Sequence, residues 1–183
     1  MRIIAGKGRS LPLKTIEGMD TRPTTDRIKE TLFNMLQSFL ADCEFLDLYA
    51  GSGQIGLEAV SRGAAHAVFV ENGKRAAACI RDNISFTRFD EQCTLMNTDV
   101  MSALHQMEGK RYFDVIFMDP PYGKSLEKEV LTYLSGSKLI DDGSLIVVEA
   151  SLGTDFSYLE ELGFVMEKRK TYKTNEHAFI RKG

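Results

Sequence analysis

Asp119-Pro120-Pro121-Tyr122 is the segment of the chain whose residue types most narrowly limit what it can do. Two consecutive prolines fix φ and hold the main chain extended, so the Asp119 side chain and the Pro120 carbonyl become rigid acceptors, and an aromatic ring follows at once. An exocyclic amine on a nucleobase is a poor nucleophile because its lone pair is delocalised into the ring. Two acceptors holding its two hydrogens favour a pyramidal nitrogen, and Tyr122 is placed to stack on the base. The pattern therefore suits direct in-line transfer of a group to that nitrogen. Carbon alkylation of a pyrimidine needs a cysteine nucleophile instead. Cys43, Cys79 and Cys93 stand isolated from any proline or glycine-rich loop, and they offer no spacing for a disulfide framework or a zinc site.

A second constellation supplies a place for the donor. Phe45 to Gly56 reads as a strand, a glycine turn and a helix start, where backbone N–H groups converge on a ligand. Gly51-x-Gly53-x-x-Gly56, with Glu71 twenty residues after Gly51, satisfies both a dinucleotide fingerprint and an S-adenosyl-L-methionine turn. Asp47 favours the latter, because a carboxylate there attracts the cationic methionine end of that cofactor and repels a pyrophosphate. Asp99, read as the end of the third strand, is expected to accept from an adenine amino group. The candidate cofactor residues are Asp47, Tyr49, Ala50, Gly51, Ser52 and Gly53, then Glu71 with Asn72, and Asp99 with Val100. A helix-capping or strand-end role remains the alternative for each acid.

These residues need a scaffold. From Phe45 onward, apolar runs at 45–49, 67–70, 94–96, 115–118 and 145–148 alternate with amphipathic stretches, which predicts βαβ units and a parallel sheet. Residues 164–172 and 177–181 are expected to close it as an antiparallel hairpin. Before the first strand, Ile28, Leu32, Met35, Leu36 and Phe39 form one stripe of a helix whose first turn suits Pro23 and the threonines beside it. Residues 2–5 and 11–16 flank Gly6-Lys7-Gly8-Arg9-Ser10 and predict a basic β-hairpin. The expected division is a basic extension over 1–20 and a catalytic domain over 21–183.

The 183 residues carry a net charge of −3, unevenly spread. Residues 1–16 hold four basic side chains and no acid, 168–183 hold six against Glu176, and the stretch between has 13 basic and 25 acidic residues. Cationic ends on an acidic body suit a protein that grips phosphate with its termini. A non-catalytic RNA-binding module fits that distribution too, but leaves the Asp-Pro-Pro-Tyr loop without a purpose. With no apolar run of membrane-spanning length and no secretory leader, the expected setting is cytoplasmic, without membrane or metal, and monomeric.

The chain resembles the RsmD family of bacterial 16S ribosomal RNA guanine-N2 methyltransferases. Met1-Arg2-Ile3-Ile4-Ala5-Gly6, Thr21 to Asn34, Asp47 to Gly53 and Asp119 to Tyr122 carry the resemblance, which runs over essentially the whole length. It implies a Rossmann-like, seven-stranded class I S-adenosylmethionine-dependent fold of the α/β class, mostly parallel with an antiparallel C-terminal hairpin, preceded by a small RNA-contacting β-hairpin. It implies as partner the 16S ribosomal RNA in the small subunit or its assembly intermediate, as catalytic residues Asp119, Pro120, Pro121 and Tyr122, and as RNA contacts Arg2, Lys7, Arg9, Arg22, Thr24 and Arg27. Methylation of DNA adenine or of a protein glutamine by a related loop, and a nicotinamide-dependent oxidoreductase, stay open.

Overall fold

The computed structural model describes residues 1–18 and 24–183. Among the described residues five α-helices and seven strands follow one another: α1 Asp26–Leu40, β1 Glu44–Leu48, α2 Gln54–Ser61, β2 His66–Val70, α3 Lys74–Thr87, β3 Cys93–Met96, α4 Val100–Met107, β4 Val115–Met118, α5 Leu126–Ser135, β5 Leu145–Ser151, β6 Phe164–Thr171 and β7 Asn175–Lys182. The strands form one seven-stranded sheet in the order β3-β2-β1-β4-β5-β7-β6, with β1 to β5 parallel and β7 antiparallel to both its neighbours. This is the doubly wound α/β architecture the alternation predicts. The order in which successive strands are added reverses between β1 and β4, where folds of this kind bind ligands.

Strand pleating sends alternate residues to opposite faces. Phe45, Phe69, Val115, Phe117, Leu145, Val147 and Phe179 pack against α1, α2 and α3, whereas Leu46, Leu48, Val68, Ile116, Met118, Ile146 and Val148 pack against α4 and α5. Gly56 lets α2 lie close to the sheet, because a Cβ there would stand 2.3 Å from the Phe69 ring. Edge strand β6 carries Lys168, Arg169 and Lys170, charges that discourage pairing with another chain.

Several boundaries differ from those the sequence predicts. Strand β5 runs on to Ser151, and β7 begins at Asn175, because the hairpin pairs Glu149 with His177 and Ser151 with Asn175. Tyr49 lies beyond the end of β1, in the left-handed region at φ 59°. The buried face of α1 is Lys29, Leu32, Phe33, Leu36 and Leu40, rotated from the expected stripe, with Met35 and Phe39 only partly buried against the core. The rotation brings a charge into the helix face, where Lys29 is buried against Glu58. Thr25 caps α1, its Oγ1 accepting from Ile28 N at 3.3 Å; Pro23 lies outside the described residues.

The N-terminal segment bends as a hairpin but pairs as a strap. Arg2 and Pro12 form its single β-bridge, with Ile3 N donating to Leu11 O and Ser10 N to Ile3 O. Ile3 and Leu13 are buried in the core beneath α1 to α3. Glu58 on α2 holds the strap: Ile4 N and Ala5 N donate to its two oxygens at 2.9 and 3.0 Å, Arg62 Nε donates to it at 2.9 Å, and Lys29 Nζ sits 3.7 Å away while donating to Arg2 O at 2.5 Å. Burial of this cluster pulls the Lys29 ammonium below its ordinary value.

Candidate active site

At the β1–β4 reversal the two motifs stand side by side. After β1 the chain turns through Tyr49, Ala50, Gly51, Ser52 and Gly53. Gly51 and Gly53 lie at φ 59° and 83°, conformations that glycine adopts without a Cβ penalty. A Cβ on Gly51 would meet nothing within 4 Å, so the turn has an open side, whereas one on Gly53 would press on Ile80 and Phe69. Glu71, just past β2, braces the turn by accepting from Gly51 N at 2.8 Å and Gly73 N at 2.9 Å. Exposed Asn72 follows it. Asn97, which the sequence does not single out, ties the end of β3 to this corner by donating to the Glu71 and Asn72 carbonyls.

Asp47 is 1% exposed and accepts from Gly56 N at 3.0 Å, so it caps the first turn of α2 from beneath. Burial first, then the charges of Asp119 and Glu71, push its carboxyl well above the usual carboxylate range. Asp99 corrects an expectation: β3 ends at Met96, and Asp99 is the N-cap of α4, accepting from Ser102 N at 2.9 Å and Ser102 Oγ at 2.7 Å. Those bonds hold its carboxyl below the usual range. Buried Val100 follows in the first turn.

Asp119 follows β4 directly. Its backbone N donates to Leu48 O at 3.4 Å, which ties the Asp-Pro-Pro-Tyr loop to the end of β1. Pro120 is buried, Pro121 exposed, and Tyr122 is 49% exposed at the rim. Burial and then the Glu149 charge push the Asp119 carboxyl up to about 8. Asp47, Asp119 and Glu149 thus crowd the C-terminal ends of three adjacent strands. Among the described residues no lysine or arginine bonds to any of the three, and no group of His, Cys, Asp and Glu side chains converges as metal ligands. The cysteines offer no thiolate here: burial raises Cys43 and Cys93 to about 12 and Cys79 in the same direction.

The cationic candidates lie along the strap and α1. Arg2 is ion-paired with Asp26 at 3.1 Å, Lys7 bonds Gln92 and lies over the Phe89 ring, and Arg9 is exposed, with no ion pair among the described residues. Thr24 is partly buried and Arg27 exposed on α1, and Arg22 lies outside the described residues. The strap reaches the glycine turn physically. Ser52 Oγ donates to Met1 Sδ at 3.6 Å, while buried Asn83 accepts from Lys14 N at 2.8 Å and donates to Ser52 O at 2.9 Å. Sequence reading missed Asn83, a polar residue inside an amphipathic helix with no motif around it. It also missed Glu149 and His177, although an acid inside the apolar run Leu145–Ala150 is the same signal that marked Asp47.

Comparison with known proteins matches residues 1–181 to the family described as Conserved hypothetical protein 95. A Bacillus subtilis protein described as an rRNA methyltransferase is 33% identical over 100% of this chain and 99% of its own length. Ribosomal RNA small subunit methyltransferase D of Haemophilus influenzae is 39% identical, over 81% of this chain and 78% of that relative. Among solved structures, an Escherichia coli protein described as a methyltransferase superposes with a TM-score of 0.84 at 30% identity, covering 100% of this chain and 97% of that one.

Proposed function

Because the chain belongs to the Conserved hypothetical protein 95 family, the RsmD family its motifs resemble, we propose that it is an S-adenosylmethionine-dependent methyltransferase of small-subunit ribosomal RNA that acts on the exocyclic N2 of a guanine. The observation that carries the reading is the cluster of Asp47, Asp119 and Glu149 beside a glycine turn, with no lysine or arginine bonded to it among the described residues. Two carboxyls driven upward in their proton affinity mark a place where a positive ligand is stabilised. The sulfonium and ammonium of S-adenosylmethionine fit that demand; the pyrophosphate of a nicotinamide dinucleotide would be repelled, although the glycine spacing admits either.

When bound, that cofactor supplies an electrophilic methyl carbon. Residues Tyr49 to Gly53 would hold its methionine end, Glu71 and Asn72 its ribose, and Asp99 and Val100 its adenine edge. Each oxygen of Glu71 keeps a lone pair beyond the backbone bond it accepts. Asp119 and the Pro120 carbonyl would take the hydrogens of the target amine, and Tyr122 would stack on the base. The guanine must leave its stack to reach them, as bases do in enzymes that modify them. Arg2, Lys7, Arg9, Arg22, Thr24 and Arg27 would meet RNA phosphates and the site entrance, with the basic 1–20 extension as a docking element on the 21–183 domain. The strap's bonds to Ser52 through Met1 and Asn83 support such a placement, since they put that element against the cofactor turn.

Incubation of the protein, as a monomer in cytoplasmic buffer conditions, with small ribosomal subunits lacking the modification and with tritiated cofactor tests this reading, followed by mapping of the label. Tritium on guanine N2 is the expected result. Label on an adenine, or on a subunit protein, transfers the assignment to one of the related amine chemistries.

A further inference from the structure

Behind the catalytic loop lies a polar network that neither the glycine turn nor the loop accounts for. Met118 of β4 pairs with Val148 of β5, so the residues that follow them, Asp119 and Glu149, emerge side by side on the face shared with α1 to α3. Glu149 is 7% exposed. Its Oε1 accepts from Asn175 Nδ2 at 3.0 Å and its Oε2 from His177 Nε2 at 3.0 Å. With its proton on Nε2, fully buried His177 turns Nδ1 toward the Tyr172 hydroxyl at 3.3 Å, and its ring stands edge-on to Tyr172 and Phe117. Asn175 and His177 belong to β7 and Tyr172 to the turn before it, so the antiparallel hairpin grips Glu149 from the side away from the loop.

A buried carboxylate with two hydrogen bonds and, among the described residues, no lysine or arginine beside it is costly to maintain. Beyond Asn175 and His177, the Glu149 charge also acts on Asp119, its neighbour across the β4–β5 pairing. The titratable groups facing Asp119 are Asp47 from β1 and Glu149 from β5, both acids. Among the described residues nothing on α2, on β7 or in the loop sets a lysine or arginine bond against them.

We propose that Glu149, locked by Asn175 and His177, is a positioning residue that makes Asp119 the proton acceptor of the transfer. The proposal rests on the methyl-transfer reading. As the amine nitrogen forms its bond to the methyl carbon, the carbon–sulfur bond breaks and sulfur keeps the electron pair. The nitrogen has then spent its lone pair and carries one proton too many. That proton passes to the Asp119 carboxylate, leaving a neutral secondary amine, a neutral thioether and a protonated Asp119 that later discharges to water. A carboxylate beside a second fixed negative charge takes a larger share of the proton in the transition state than an ordinary one.

The test begins with the wild-type, cofactor-free protein. Carbon-13 NMR of labelled aspartate carboxyls, with the Asp119 signal assigned by its loss in Asp119→Asn, is expected to show titration near about 8. In Glu149→Gln that midpoint should fall by about one unit or more, the scale of a lost like charge. The rising limb of kcat against pH on subunits should move by the same amount, with Glu149→Asp returning it toward the wild-type position. A wild-type Asp119 titrating in the ordinary carboxylate range overturns the proposal without any variant having to fold, and so does a Glu149→Gln limb that stays at the wild-type pH. A wild-type protein that labels no RNA defeats the methyl-transfer reading instead, and the titration still decides whether Glu149 governs Asp119.

Discussion

In the proposed methyl transfer the chemistry turns on Asp119. Its backbone is fixed to the end of β1 and its main chain is stiffened by Pro120, so its carboxyl points where the loop sends it. Asp119→Ala is expected to lower single-turnover methylation at saturating S-adenosylmethionine by roughly 10²-fold or more, the scale for one preorganised polar contact. Near-normal turnover in that variant would remove Asp119 from the mechanism. The loop was legible in the sequence because a strand ending in Asp-Pro-Pro-Tyr is chemically unusual. Asp99 was less legible, since an acid ahead of a helix can cap it or bind a ligand, and the Ser102 contacts that show capping are made three residues away. Glu149 escaped because the apolar run was closed at Val148, one residue too soon, before the pairing with His177 was known.

Among the elements, the strap and α2 show how a basic extension becomes part of a core. Glu58 receives two strap N–H groups, Arg62 and the nearby Lys29, all in a cluster without solvent on Lys29 or Glu58. Desolvation outweighs attraction for Lys29, whose ammonium is pulled below its ordinary value. The two partners are therefore not equivalent. Glu58→Gln leaves a buried ammonium beside Arg62 with no anion, and should cost about 3–5 kcal/mol, or roughly 6–20 °C in Tm for a chain of this size. Lys29→Met leaves Glu58 still bonded to Arg62 and the strap, and should cost less than half as much. Thermal unfolding of the two variants checks the order; equal losses would mean that Glu58 has no privileged place in holding the strap. The parallel strands were legible from their apolar runs, but the face of α1 was not. Period counting assigns Lys29 to solvent, and only the distant Glu58 reverses that.

For the molecule as a whole, the distribution of carboxyls sets how stability and ligand affinity respond to pH. Asp99, Glu108, Asp141 and Asp155 are held below their ordinary values by hydrogen bonds, so the stability they contribute is lost only as pH falls through the acid range. Asp119 and Asp47 act in the opposite sense. The folded state keeps a proton on Asp119 up to about 8, while the unfolded chain releases it near an ordinary value of about 4. Between those limits the native protein binds more protons than the unfolded one, so unfolding free energy falls as pH rises. Relative to Asp119→Asn, the Tm of the cofactor-free wild type should decline steadily from about pH 4 to about pH 8, and a difference that stays flat would mean that Asp119 is an ordinary acid. A bound cation reverses the penalty, because ionised Asp119 then faces a positive charge. S-adenosylmethionine affinity, measured by calorimetry, should accordingly strengthen through the same window. S-adenosylhomocysteine, with a neutral sulfur, should gain less, and equal gains for the two would place the sulfonium away from the acid crevice.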